Sequence, residues 1–191
     1  MIALKPIRRL LRLAGLALAL APPGCGLAAD TANLQAISEY QVKAAFLYNF
    51  TKFVEWPAPS PAATNAPFVI GIVGNDPFGG TLDEVVKSGL AHGRPLQVKR
   101  LKKGEPLGDC QILFVSRSET EHLESLLKVI DRQPVLTVGD EEGDAARGIM
   151  INLIVVKGSV KMEINLQHAE QARLQISSKL LGLAKIVESA K

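Results

Sequence analysis

Residues 150–166 read Met-Ile-Asn-Leu-Ile-Val-Val-Lys-Gly-Ser-Val-Lys-Met-Glu-Ile-Asn-Leu, which is the clearest structural signal in the chain. Lys157-Gly158 is a natural two-residue turn between two β-type runs, so the stretch predicts an antiparallel hairpin. Pairing outward from the turn sets Val156 opposite Ser159 and Asn152 opposite Glu163. One face is then entirely apolar (Ile151, Leu153, Val155, Val160, Met162, Ile164, Leu166), and the other holds Asn152, Lys161, Glu163 and Asn165. This division indicates that one face of the hairpin belongs to the core.

The residues around the hairpin alternate between strand and helix patterns. Strand-type runs occur at 68–73, 96–101, 111–115 and 135–138, and helical patterns at 37–54, 81–86 and 119–131. Ser177 or Ser178 can cap a final helix with Leu180, Leu183 and Val187 on one stripe. Strands separated by helices imply parallel crossovers, whereas the hairpin is antiparallel. We therefore expect an α/β fold: a single domain with a mixed sheet of about six strands, helices on both faces, Rossmann-like, ending in a C-terminal antiparallel hairpin.

Two further features are a long amphipathic helix and an acidic loop. The helical pattern at 37–54 places an apolar arc on one side (Tyr40, Val42, Phe46, Leu47, Phe50, Phe53, Val54), and Trp56-Pro57 ends it. Glu39 and Lys43 are spaced as an i,i+4 pair in its first turn. The acidic loop from Asp140 to Asp144 follows a strand, where we expect solvated carboxylates.

The N-terminus has the layout of an export signal. Four basic residues precede a short apolar run, a Pro-Pro-Gly breaker and small residues, which predicts a cleaved signal peptide at 1–29, a flexible leader at 30–38 and one domain at 39–189. Cleavage near Ala28 or Ala29 is preferred over lipidation at Cys25, because Pro22 stands where lipoproteins usually have a large aliphatic residue. Removal of the signal leaves 18 basic and 19 acidic residues, so the net charge does not favour a nucleic-acid partner. Cys110 is then unpaired, and its apolar surroundings predict a buried, inert thiol.

The residue pattern contains no catalytic constellation. The three histidines are not spaced as metal ligands, and no nucleophile motif is present. We therefore expect no cofactor, no metal and no enzymatic activity. One loop, residues 71–80, leaves a strand and enters a helix, where α/β proteins often hold anions. Asn75, Asp76, Gly79 and Gly80 are candidates for a small-molecule crevice there; the alternative is a simple strand-to-helix turn with Asp76 as a cap.

Several segments together resemble the YfiR family. They are residues 40–57 (Tyr-Gln-Val-Lys-Ala-Ala-Phe-Leu-Tyr-Asn-Phe-Thr-Lys-Phe-Val-Glu-Trp-Pro), 71–78 (Gly-Ile-Val-Gly-Asn-Asp-Pro-Phe), 108–116, 148–153, 163–166 and 176–181. The resemblance implies a non-catalytic periplasmic regulator that binds the sensor region of an inner-membrane protein. That protein would be a diguanylate cyclase or a histidine kinase. A cyclase would be repressed, in cyclic-di-GMP signalling that controls biofilms. The resemblance also implies an OmpA-like lipoprotein as a second partner and a homodimer. A disulfide stabilises some members, and this chain departs from them because Cys110 has no partner after export.

The resemblance leaves two functional interpretations open. For a protein-binding regulator, the candidate contact residues are exposed apolar ones: Trp56, Phe78, and Leu181 and Ile186 on the last helix. Core packing is the alternative for each of them. The second interpretation is a periplasmic small-molecule-binding sensor that uses the crevice near Asn75 to Gly80.

Overall fold

The computed structural model describes residues 27–58, 66–102 and 104–189, with the side chains of the first helix described from Glu39 onward. Residues 1–26 of the predicted signal peptide (1–29), including Cys25, lie outside the described residues. Helix α1 spans Leu27–Phe53 and therefore begins before the predicted position. The stretch expected as a flexible leader is helical because residues 27–38 contain four alanines and two leucines, which favour helix, but neither glycine nor proline.

Among the described residues, eight strands form the main sheet; their order across it, in the labels defined in the next sentence, is β10-β8-β7-β6-β5-β2-β4-β3. In chain order they are β2 (Phe68–Val73), β3 (Leu90–Ala91), β4 (Arg94–Leu101), β5 (Ile112–Val115), β6 (Leu136–Gly139), β7 (Ile151–Val156), β8 (Ser159–Ile164) and β10 (Lys185–Ile186). Strands β4, β2, β5, β6 and β7 are parallel, and β8 returns antiparallel to β7. A separate two-stranded sheet joins β1 (Val54–Glu55) to β9 (Gln175–Ile176). The mixed α/β sheet is confirmed, with eight strands instead of about six.

Helices cover both faces of the sheet, as expected. The short helices are α2 (Thr81–Val86), α3 (Leu123–Val129), α4 (Leu166–Gln171) and α5 (Ser178–Leu181). Alternate residues of the central strands enter two cores: Ile70, Ile72 and Phe114 pack under α1 and α2, whereas Leu113 and Val115 pack under α3. Burial on both faces explains the continuous apolar runs of β2 and β5.

The hairpin register is confirmed residue by residue. Val156 lies opposite Ser159 and Asn152 opposite Glu163. Lys157 and Gly158 have φ of 51° and 75°, the left-handed values that a type I′ turn requires. The face expected to be polar is nevertheless partly interior, because Asn152 and Asn165 are fully buried and Glu163 nearly so.

The predicted last helix is wrong beyond its first turn. Ser177 caps α5 by accepting from the Leu180 amide, as expected, but α5 ends at Leu181. The chain then forms β10, whose Lys185 and Ile186 pair in parallel with Glu163 and Ile164 of β8. Pairing with the distant β8 overrides the local helical pattern, so Leu183 and Ile186 are exposed at the edge of the sheet.

Candidate functional site: a charged cleft at the carboxyl end of the sheet

A cluster of buried charges lies where β5 and β6 end. The Lys43 ammonium of α1 and the Asp140 carboxylate after β6 are both fully buried, with Nζ and Oδ2 3.0 Å apart. The Tyr40 hydroxyl donates to the same Oδ2 at 2.7 Å, and Arg117, after β5, donates to it at 3.2 Å. Glu39 accepts from Lys43 and lies 3.4 Å from Arg117. The cluster therefore joins α1 to the carboxyl ends of two neighbouring strands.

Because opposite charges surround each buried charge, the cluster is compensated electrostatically. Burial, reinforced by the nearby Asp140 carboxylate, raises the pKa of the Tyr40 phenol above its usual range, which keeps this hydroxyl a hydrogen-bond donor. One oxygen of the cluster, Asp140 Oδ1, is buried and has no hydrogen-bond donor among the described residues. It is the acceptor in the cluster that another group could satisfy.

An open cleft of about 460 Å³ lies beside this cluster. Its lining comprises Glu39, Arg117, the acidic loop Asp140 to Glu142, and Ile154 to Lys157 at the end of β7. The side chains that line it include four carboxylates and two cations. The cleft therefore combines an acidic wall with the apolar end of a strand.

A second buried acid lies in the same loop. Asp144 packs against Gly139, where an added Cβ would lie 2.9 Å from Asp144 Oδ2. Burial raises the pKa of the Asp144 carboxyl to about 6, and the Arg147 side chain, 3.5 Å away, only partly opposes this shift. The expectation of a wholly solvated acidic loop is therefore wrong for Asp140 and Asp144, because the loop folds back against β6 and β7.

The four predicted contact residues are dispersed. The Trp56 indole is half-buried, donates to the Gln111 carbonyl at 3.1 Å and packs edge to face on Phe68. Phe78 is a core residue, 4% exposed, between Tyr40 and Phe114, which corrects the expectation of an exposed anchor. Leu181 packs partly buried on α5, whereas Ile186 is 51% exposed on β10. Of the four, Ile186 is the one that presents most of its side chain to a partner.

The predicted crevice residues form a loop whose polar groups bond internally. Asn75 donates its amide to Ser118, and Asp76 accepts from the Phe78 amide at 2.7 Å. Arg100 crosses the loop and donates to Asp76 and to the Gly79 carbonyl. Helix α2 starts after Gly80 with no side-chain cap, so Asp76 stabilises the turn and does not cap the helix. The structure therefore favours the turn interpretation for Asn75 to Gly80.

The residues that form the charged cleft were missed in the sequence. Glu39 and Lys43 match a surface i,i+4 pair, and the predicted apolar arc includes Val42, which is in fact exposed. The buried stripe of α1 is instead Lys43, Ala44, Leu47, Phe50 and Thr51. A lysine inside that i, i+3, i+4, i+7 spacing is the signal that could have pointed to a buried partner.

Known families and structures resemble this chain. The model of the family described as DUF4154, YfiR/HmsC-like, matches residues 40–185. The chain belongs to the YfiR/HmsC-like family.

Two solved structures share the fold of this YfiR/HmsC-like chain. A conserved domain protein from Vibrio cholerae superposes with a TM-score of 0.51 at 14% identity, over 77% of this chain and 59% of its own. The ABC domain in complex with L-Trp from Streptococcus pneumonia superposes with a TM-score of 0.52 at 8% identity, over 78% of this chain and 60% of its own. This chain thus spans about 60% of each neighbour, and at such identities they show the fold alone. No curated protein matches the sequence significantly.

Proposed function

We propose that this chain is an exported periplasmic regulator that binds the periplasmic sensor region of an inner-membrane signalling protein and represses a diguanylate cyclase. The observation that carries the proposal is the YfiR/HmsC-like match over residues 40–185, which includes the second half of α1, nearly all of the sheet and most of the charged cleft. Repression follows from mass action, because a protein that prefers the inactive conformation of a sensor shifts the population toward it. An OmpA-like lipoprotein that competes for the regulator would relieve the repression.

The chemistry of the described residues supports binding more than catalysis. Lys43 and Asp140 neutralise each other, so neither is left as a free base or nucleophile in the cleft. Burial raises the pKa of the Cys110 thiol to about 11, which suppresses the reactive thiolate. These groups therefore stabilise the domain, and the exposed surface is left for recognition.

Export is part of the proposal, and its support is the basic, apolar and small-residue layout of positions 1–29. Within the part of the chain that the structure describes, no helix combines the length and apolarity needed to cross a bilayer.

Site-specific photo-crosslinking in the native cell tests this function. A photoreactive amino acid at Ile186, on the exposed edge strand β10, is compared with one at Leu90, which is also exposed but lies in β3 at the opposite edge. We expect the Ile186 probe to capture a membrane protein that mass spectrometry identifies as a diguanylate cyclase or histidine kinase with a periplasmic sensor region. Recovery of no signalling protein from either position would contradict the proposal.

A small-molecule sensor is the second candidate function. A cavity of about 340 Å³ lies between α3 and α4, and it is lined by apolar side chains such as Leu127 and Met150 and by polar ones such as His168. The structural neighbour in complex with L-Trp shows that a related fold holds a small ligand. A ligand that binds the folded state raises the melting temperature, so a thermal-shift screen with amino acids and other metabolites tests this candidate. No shift with any compound would exclude the compounds in the panel.

A further inference from the structure

Strand β7 has a free edge beside the charged cleft. All six of its residues pair with β8, from Ile151 opposite Ile164 to Val156 opposite Ser159. On its other side, β6 pairs only at two positions, Val138 opposite Ile151 and Gly139 opposite Asn152, and then ends. Among the described residues, Leu153 to Val156 therefore have a strand neighbour on one side only. Such an unpaired edge is a template for an added strand.

The hairpin geometry identifies the backbone groups that the edge offers. In a hairpin with a two-residue type I′ turn, the residues that flank the turn, here Val156 and Ser159, form a hydrogen-bonded pair. Hydrogen-bonded and non-hydrogen-bonded pairs alternate along an antiparallel ladder, so Leu153 and Val155 direct their N–H and C=O groups away from β8. The parallel bridge between Gly139 and Asn152 uses the Leu153 N–H, so the groups left free are the Leu153 C=O and both backbone groups of Val155. The side chains of Val155 and Val156 are 41% and 40% exposed. The edge thus combines free backbone groups with accessible apolar surface.

The wall opposite this edge is acidic. Glu39, Asp140, Glu141 and Glu142 line the cleft together with Arg117 and Lys157. Asp140 Oδ1 is buried without a donor among the described residues, and Arg117, about half exposed, partly covers this carboxylate. Lys43 and Arg117 compensate Asp140 and Glu39, and the remaining carboxylates of the lining, Glu141 and Glu142, exceed its remaining cation, Lys157, by one negative charge. A cationic group brought into the cleft would therefore meet this remaining negative charge.

We propose that the free edge of β7 docks an extended segment of a protein partner that carries a basic side chain. The segment adds to β7 as a strand through the Leu153 C=O and the N–H and C=O of Val155, and its lysine or arginine faces the acidic loop. A second copy of this chain is a poorer occupant, because edge-to-edge pairing would bring two sets of these carboxylates to the same groove. This inference rests on the proposed function, since it names a second surface of contact with the regulated partner, besides the β10 edge that the Ile186 probe tests.

A peptide assay tests the chemistry of the edge. The full chain is titrated with a fluorescent peptide of about eight residues that alternates lysine and threonine, and with a control that alternates glutamate and threonine. We expect the basic peptide alone to bind, and its affinity to fall as salt rises. Glu141→Lys/Glu142→Lys should weaken binding about tenfold or more, whereas Glu84→Lys, on the exposed face of α2, should not change it. Equal binding of both peptides, or an unchanged affinity in the double variant, would overturn the proposal.

Val155→Pro isolates the backbone contribution, because proline removes the N–H on the free edge without removing a bond to β8. Melting temperatures of all variants show that they are folded. If Val155→Pro stays folded and binds the basic peptide as the wild type does, strand addition is wrong. If sedimentation shows that Glu141→Lys/Glu142→Lys turns a dimer into a monomer, the edge is occupied by a second copy, and the proposal is overturned in favour of that occupant.

Complementation separates this inference from the proposed function. If deletion of the gene changes the cyclic-di-GMP level and the Glu141→Lys/Glu142→Lys variant restores it fully, the docking site is wrong while the regulatory function stands. If deletion has no effect, the regulatory function fails, and the peptide assay still decides whether the edge binds basic segments.

Discussion

Two networks of cations and carboxylates lie at the carboxyl ends of the parallel strands, and they differ in burial. In the first, Lys43 and Asp140 are fully buried and share Tyr40 and Arg117 as partners. In the second, Arg100 of β4 donates to Asp76 and Asp83 but is 42% exposed. Charged residues of the same types therefore contribute strongly to stability when their network is buried and weakly when it is exposed. Solvent access causes this difference, because water screens the exposed charges.

The largest expected effect is on the buried network. Asp140→Ala leaves the Lys43 ammonium buried beside Glu39 as its remaining carboxylate, so we expect a loss of about 3–5 kcal/mol in the free energy of unfolding. Urea unfolding of Asp140→Ala, with Asp131→Ala as an exposed-acid control, measures the difference. A loss as small as that of the control would show that the buried pair is not energetically distinct from a surface acid.

The second prediction concerns Asp144, the buried acid that Arg147 compensates only in part. Its raised pKa means that the folded state binds the proton more tightly than the unfolded state does. The stabilisation that comes from this tighter proton binding is therefore present below about pH 4 and is lost as the pH rises to about 6. Asp144→Asn should remove this pH dependence and raise the free energy of unfolding above pH 6 by about 1–3 kcal/mol. Denaturant titrations across this pH interval check it. A variant less stable than the wild type at high pH would mean that the ionised carboxylate is favourably paired with Arg147.

The smallest expected effect is on the exposed network. Arg100→Ala should cost about 1 kcal/mol or less, because its ion pairs with Asp76 and Asp83 are solvated, and the cost should shrink at high salt. The Arg100 guanidinium lowers the pKa of the Asp83 carboxyl, so the contribution should disappear in acid as Asp83 is protonated. Unfolding measured at low and high ionic strength tests this. A salt-independent loss of several kcal/mol would place Arg100 with the buried network and remove the contrast.

Local patterns in the sequence predicted the elements in which buried residues recur at regular positions. The continuous apolar run of β2 and the helix at Thr81–Val86 lie where the pattern placed them, and the hairpin register follows from Lys157-Gly158 alone. These elements are determined by residues that are neighbours in the sequence or by burial on both faces of the sheet. Each of these causes produces a recognisable pattern of residue types. The inert Cys110 thiol was also predicted and is buried.

Long-range contacts produced the features that the sequence did not reveal. Strand β10 exists because Lys185 and Ile186 pair with β8, although their own pattern is helical. Lys43 is buried because Asp140, 97 positions away, compensates its charge. A local pattern carries no record of such a partner, so the charged cleft was missed while the Asn75 to Gly80 turn was considered as a crevice.

The level of cyclic-di-GMP in the native cell tests the regulatory account most directly. It is measured by mass spectrometry in the wild type, in a strain lacking the gene, and in that strain complemented with the full chain or with a chain lacking residues 1–29. The account predicts a rise on deletion that the full chain reverses and the chain without the export signal does not. An unchanged level on deletion, or full restoration by the chain without residues 1–29, would contradict it.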